Sequence, residues 1–130
     1  MSIIIACATD DGKRFIDKHF GDAEFYKIYR IDEENITYLK DVINTTEEEE
    51  EGEHADPKKA RGIVGILKSE NVQAGVSRRF GPNIVRVKKH FVPIVLRQEF
   101  IEEGLEKIKN NYNSVCELFE QGEERKHLVL

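Results

Sequence analysis

Six consecutive apolar residues, Ile3-Ile4-Ile5-Ala6-Cys7-Ala8, open this chain and stop at Thr9-Asp10-Asp11-Gly12. The run lacks the in-and-out alternation of a half-exposed strand, so it predicts a central strand covered by protein on both faces. Thr9, Asp10 and Asp11 have short side chains that bond nearby backbone, and Gly12 is free to take positive φ, so the strand ends in a turn. The loop beyond runs to His19-Phe20-Gly21. An imidazole then lies just past the end of a central strand, where open α/β sheets bind small ligands.

Past that triplet, Ala23 to Asp32 is rich in aromatic and branched residues, Asp32-Glu33-Glu34-Asn35 reads as a turn, and Ile36 to Ile43 returns as a partner strand. This hairpin is expected to pair antiparallel with the first strand. Glu47 to Glu51 and Glu53 form a like-charge run, expected to be a mobile solvated loop. Asp56-Pro57 starts a helix with Ala60, Ile63, Val64 and Leu67 on one face, and Gly62 and Gly65 within it suggest close packing of helix on sheet. Val72 to Val76 is a short buried strand, and Ser77-Arg78-Arg79-Phe80-Gly81-Pro82 leads into a second short helix holding Ile84 and Val87. Phe91 to Leu96 is another strand, and Pro93, which has no N–H, predicts an edge position for it. From Gln98, apolar residues recur at helical spacing through Ile101, Leu105, Ile108, Tyr112, Val115 and Phe119, with a break near Asn110-Asn111 and an end at Gly122. The tail from Glu123 to Leu130 is expected to be loosely held.

A right-handed crossover through the Asp56 helix makes the Val72 strand parallel to the first. The fold class is therefore α/β: a mixed five-stranded sheet of order 3-2-1-4-5 between helical layers, in a three-layer α/β/α arrangement. The order switches between the first and fourth strands, so the loops Asp10 to Gly21 and Ser77 to Pro82 should share one crevice.

With 130 residues and no linker or internal repeat, the chain is read as one domain, 1–130. A formal charge of -5 disfavours binding to nucleic acid, although a local basic patch could hold a small anion. No segment approaches the roughly 20 apolar residues needed to span a bilayer, and no signal peptide is evident, so no membrane contact and a cytoplasmic location are expected. Cys7 and Cys116 are far apart with no CxxC, so a disulfide is not expected in that compartment, and both read as small buried hydrophobes. Two cysteines cannot supply the roughly four thiolates of an ordinary iron–sulfur centre.

The opening strand, Thr9-Asp10-Asp11-Gly12, the triplet His19-Phe20-Gly21, the aromatic strand Phe25-Tyr26-Lys27-Ile28-Tyr29 and the later helix–strand–helix run, in that order and spacing, carry a resemblance. The chain resembles the dinitrogenase iron-molybdenum cofactor biosynthesis family, which includes NifX- and NafY-type carriers and the C-terminal domain of NifB. The likeness covers about residues 2–96 and leaves a C-terminal helical extension, about 98–122, unaccounted for. It implies the ribonuclease H-like fold and a non-enzymatic carrier of an iron–sulfur or molybdenum-containing cluster, bound transiently between donor and acceptor proteins.

On residue chemistry alone, His19 is either a metal ligand or a loop-bracing histidine. The resemblance favours the ligand, because a histidine in this triplet is implicated in metallocluster binding in carrier members. Phe20 is expected to anchor the loop in the core, and Gly21 to supply an unusual backbone angle. Arg78 and Arg79, just before Gly81-Pro82, offer two guanidinium groups and free helix-start N–H groups to an anion, with solvated surface arginines as the equal alternative. The family more often has small residues there. His54, after Glu51-Gly52-Glu53, resembles a looser form of the family's Gly-His element and is a candidate second ligand, with an exposed loop histidine as the favoured alternative. Consecutive carboxylates at Glu47 to Glu51 lack the spacing of a calcium loop. His90 and His127 suggest no partner.

No catalytic residue is assigned. A ribonuclease H-like fold raises a nuclease reading, but two-metal phosphoryl transfer needs carboxylates at the sheet centre, and neither the first strand before Asp10 nor Val72 to Val76 has any. Nucleotide-binding and serine-hydrolase motifs are also absent. The competing class is a small interaction or regulatory protein that keeps the fold without metal.

Overall fold

A computed structural model describes residues 2–45, 57–82 and 84–130, apart from the side chains of residues 57–61. His54, Asp56 and the Glu47 to Glu53 run lie outside the described residues. The first strand, β1 (Ile3–Thr9), pairs antiparallel with β2 (Phe25–Ile31), which pairs antiparallel with β3 (Ile36–Ile43). Helix α1 (Pro57–Ser69) crosses over to β4 (Ala74–Ser77), parallel to β1 with Ile5 opposite Ala74, and the one-turn α2 (Ile84–Val87) leads to β5 (Val92–Val95), parallel to β4. Helices α3 (Ile101–Asn110) and α4 (Tyr112–Glu120) then lead to β6 (Leu128–Val129). The sheet order is β3-β2-β1-β4-β5-β6.

The first five strands take the expected order, and a sixth is added. β6 pairs parallel with β5, and the Leu130 N–H donates to the Val95 carbonyl at 2.9 Å. β5 is therefore an inner strand, contrary to the edge position inferred from Pro93. The proline rule still holds locally. Val92 and Leu96 donate their N–H groups to β4-side carbonyls of Gln73 and Ser77, so alternation turns Pro93 away from β4, beside the short β6 but outside its pairs.

The tail is not loose either. Arg125, 4% exposed, donates from Nε to the Leu118 carbonyl (3.0 Å), from Nη2 to Phe119 (2.9 Å) and from Nη1 to Lys88 (2.6 Å). Its guanidinium adds a second donor to carbonyls of the last turn of α4 that cap N–H groups also reach, and ties that turn to the segment after α2. Gly122, with φ +68°, makes the turn that brings Arg125 back.

Side chains of β1 feed two separate cores, as a strand covered on both faces must. Ile3, Ile5 and Cys7 join Ile101, Leu105, Ile108 and Val115 of the α3–α4 layer. Ala6 and Ala8 join Phe20, Tyr26, Ile63, Leu67, Phe80 and Phe91 on the α1–α2 side. Burial pushes the Cys7 thiol well up, which keeps it protonated and unreactive. Gly65 does not serve close packing: a Cβ there would have nothing within 4 Å. Close approach belongs to Gly75 on β4, where a Cβ would sit 2.8 Å from Phe20 Cζ and 2.9 Å from Phe91 Cε2.

Candidate functional site at the β1–β4 crevice

The loop after β1 is braced by its own side chains. Thr9 is fully buried; its Oγ1 donates to the Arg14 carbonyl at 2.6 Å and accepts from the Gly12 N–H at 2.9 Å. Asp11 accepts from the N–H groups of Lys13 and Arg14, both at 2.8 Å, and these bonds hold its carboxyl below the usual range. Asp10 accepts from the Glu24 N–H at 2.9 Å and from the Lys18 ammonium at 3.0 Å, which raises the Lys18 pKa. Gly12 takes φ +82°, as its turn position requires. Farther along, Phe15 N–H donates to Glu99 and Ile101 N–H to Lys13, so the loop is also tied to the start of α3.

Phe20 anchors the end of the loop. It is 1% exposed, stacks on Phe80 with ring centroids 4.9 Å apart, and touches Tyr26 and Phe91. Its carbonyl accepts the buried Tyr26 hydroxyl at 2.8 Å, and its N–H donates to the Arg79 carbonyl at 2.9 Å. His19 forms an isolated parallel bridge with Arg79, so the two loops leaving β1 and β4 are joined by backbone.

That bridge seats the His19 imidazole directly on Gly81. A Cβ at Gly81 would lie 2.5 Å from Nδ1 and 2.6 Å from Cε1 of His19, and Gly81 itself takes φ +68°. Both facts require glycine. The unusual angle expected at Gly21 is therefore found at Gly81, since Gly21 has an ordinary φ in a short 3-10 turn, Phe20–Asp22. A Cβ on Gly21 would meet only Ile63 Cγ1 at 3.9 Å.

His19, Arg79 and Gly81 thus come together at the carboxyl ends of β1 and β4, with half-buried Arg78 in the same loop. Arg79 reaches Asp17 through Nη2 at 3.4 Å, both side chains being mostly exposed, so Asp17 partly neutralises this end of the crevice. Sequence reasoning missed Asp17; its position two residues before His19 was the available signal. The free N–H groups expected at the start of α2 are engaged: Ile84 N–H donates to Gly81 and Val85 N–H to Pro82. A single helical turn also has little dipole to offer. Among the described residues there is no cluster of three or more His, Cys, Asp or Glu side chains able to hold a metal, and no helix long and apolar enough to cross a membrane.

Comparison with known proteins shows the family and the fold. Residues 1–111 match a family described as dinitrogenase iron-molybdenum cofactor. A solved structure from Methanocaldococcus jannaschii, described as a presumptive dinitrogenase, superposes with a TM-score of 0.60 at 18% identity, covering 85% of this chain and 91% of that one. At that identity the likeness is one of fold. No curated protein matches the sequence.

Proposed function

Because the chain belongs to the dinitrogenase iron-molybdenum cofactor family, we propose that it is a non-enzymatic carrier that receives a preformed iron–sulfur or molybdenum-containing cluster and passes it on. The observation that carries this reading is the His19 imidazole seated on Gly81 beside Arg79 at the sheet's switch point. In this reading the cluster is cargo. His19 supplies one metal bond, Arg78 and Arg79 attract its negative charge, Gly81 leaves room for the imidazole, and His54 joins as a second ligand. The donor set suits cargo better than a resident centre, which would take about four thiolates, whereas Cys7 is buried. Two imidazoles and a screened pair of arginines hold a cluster weakly enough to release it. The chain acts as one domain, in the cytoplasm, between donor and acceptor proteins.

The second reading is an interaction or regulatory protein that keeps the fold without metal. Anaerobic titration with extracted iron-molybdenum cofactor separates the two. His19→Ala should lower cofactor affinity at least tenfold while costing about 1 kcal/mol of stability or less. Arg78→Ala and Arg79→Ala should cause smaller losses that grow at low salt. Equal affinity in wild type and His19→Ala would reject the ligand role, and no binding by wild type would leave the metal-free reading.

A further inference from the structure

The segment 57–90, which builds α1, β4 and α2, holds nine of the chain's 20 lysines and arginines but only one of its 25 acids, Glu70. The chain as a whole is at -5, so everything outside this segment is strongly acidic. Because α1 and α2 lie side by side on one face of the sheet, the described cations at the ends of the two helices fall on one surface.

Lys68, Arg86 and Lys89 are exposed and Lys88 is half-buried. Among the described residues none of the four makes an ion pair, and Glu70 is already taken by Lys40 at 2.8 Å. His90 feels Lys68, Lys89 and Arg125 at once, which brings the end of α1 and the end of α2 into one positive patch, with Glu123 the acid that faces it. Val85 on α2 is a large hydrophobic residue left 55% exposed, so the patch has an apolar point among its cations.

We propose that the α1–α2 face is a docking surface for a folded partner protein that presents an acidic patch. Charge complementarity selects the partner. A nucleic acid would extend its phosphates beyond a patch set by α1, about 20 Å long, and onto the acidic remainder of the molecule, where it is repelled. A compact acidic patch meets only the cations. Docking here would bring the partner to the His19 crevice, since α2 follows Gly81 directly, and it does not depend on metal binding by His19.

The test uses fluorescence anisotropy with labelled poly-L-glutamate of about six residues, no longer than the patch, as the acidic-protein probe and a short DNA duplex as the phosphate probe, each titrated across salt. Wild type should bind poly-L-glutamate at low salt and release it as salt rises. Arg86→Glu/Lys89→Glu should lose about tenfold or more in affinity, whereas Lys13→Glu, on the α3 side, should change it less than about twofold. Circular dichroism melts check that each variant is folded. Unchanged affinity in the double variant, or an equal loss in Lys13→Glu, would overturn the assignment. Stronger binding to the duplex than to poly-L-glutamate would reject the acidic-protein partner. Binding that appears only after Glu47 to Glu51 are replaced by serine would assign the patch to the chain's own acidic run, and also overturn it.

Discussion

On the α1–α2 side of the sheet, Ile63, Leu67 and Val87 of the helices pack with three rings from the loops, Phe20, Phe80 and Phe91, of which Phe20 and Phe91 close on Gly75, whereas the α3–α4 layer meets the opposite face mainly through Ile101, Leu105, Ile108 and Val115. Both layers bury apolar side chains thoroughly, so packing density does not separate them. They differ in what the buried groups hold. Phe20 belongs at once to the core and to the loop that carries His19, and it is stacked on Phe80 from the loop that carries Arg79 and Gly81. Aromatic contact therefore fixes the two loops relative to each other. The aliphatic layer closes the sheet and anchors the C-terminal segment, but none of its helices carries a residue of the crevice.

Phe20→Ala and Leu105→Ala break this comparison most directly. Both should destabilise the chain, Phe20→Ala by about 3–5 kcal/mol and Leu105→Ala by about 2–5 kcal/mol. Only Phe20→Ala should also shift the side-chain NMR resonances of His19 in the protein that remains folded. A comparable shift in Leu105→Ala would show that the two layers are not separable.

A smaller effect is expected from Gly81→Ala. Its φ of +68° disfavours any L side chain, at a cost of about 1–2 kcal/mol, and the new methyl group must displace the imidazole. Denaturant melts and the His19 resonances should both change. A shift in stability with the histidine signals unmoved would mean that the ring seats elsewhere.

The smallest effect has the opposite sign. Gly65 lies on the solvent side of α1 with open space around it, so Gly65→Ala should stabilise by about 0.5–1 kcal/mol, through helix propensity alone. Destabilisation would indicate that something packs on this side of α1. Within one basic layer, two glycines would then be distinguished by surroundings rather than by sequence.

Local chemistry was readable before any coordinates. The apolar run of β1 needs cover on both faces and has it, the Thr9 and Asp11 side chains close the turn, and Phe20 packs inward, because each outcome depends on groups only a few residues apart or on simple burial. The order of the first five strands followed from crossover handedness and the sequence of elements, whereas β6 did not. The break in the C-terminal helix at Asn110-Asn111 was legible for the same reason: α3 ends and α4 begins there.

What tertiary structure alone decided involves residues far apart in the chain. Gly21 and Gly65 carry the same side chain as Gly81 and Gly75, and nothing nearby in sequence tells which pair must accept an approaching ring. Arg125 looks like a surface residue of a loose tail until the end of α4 and the Lys88 carbonyl converge on it, because a buried guanidinium is tolerated only where several acceptors meet it. Pro93 predicts a missing donor but not which side of β5 it faces. Composition carried the cations of segment 57–90; only packing α1 beside α2 brought Lys68 near Arg86, Lys88 and Lys89, since charge adds up in space rather than along the chain.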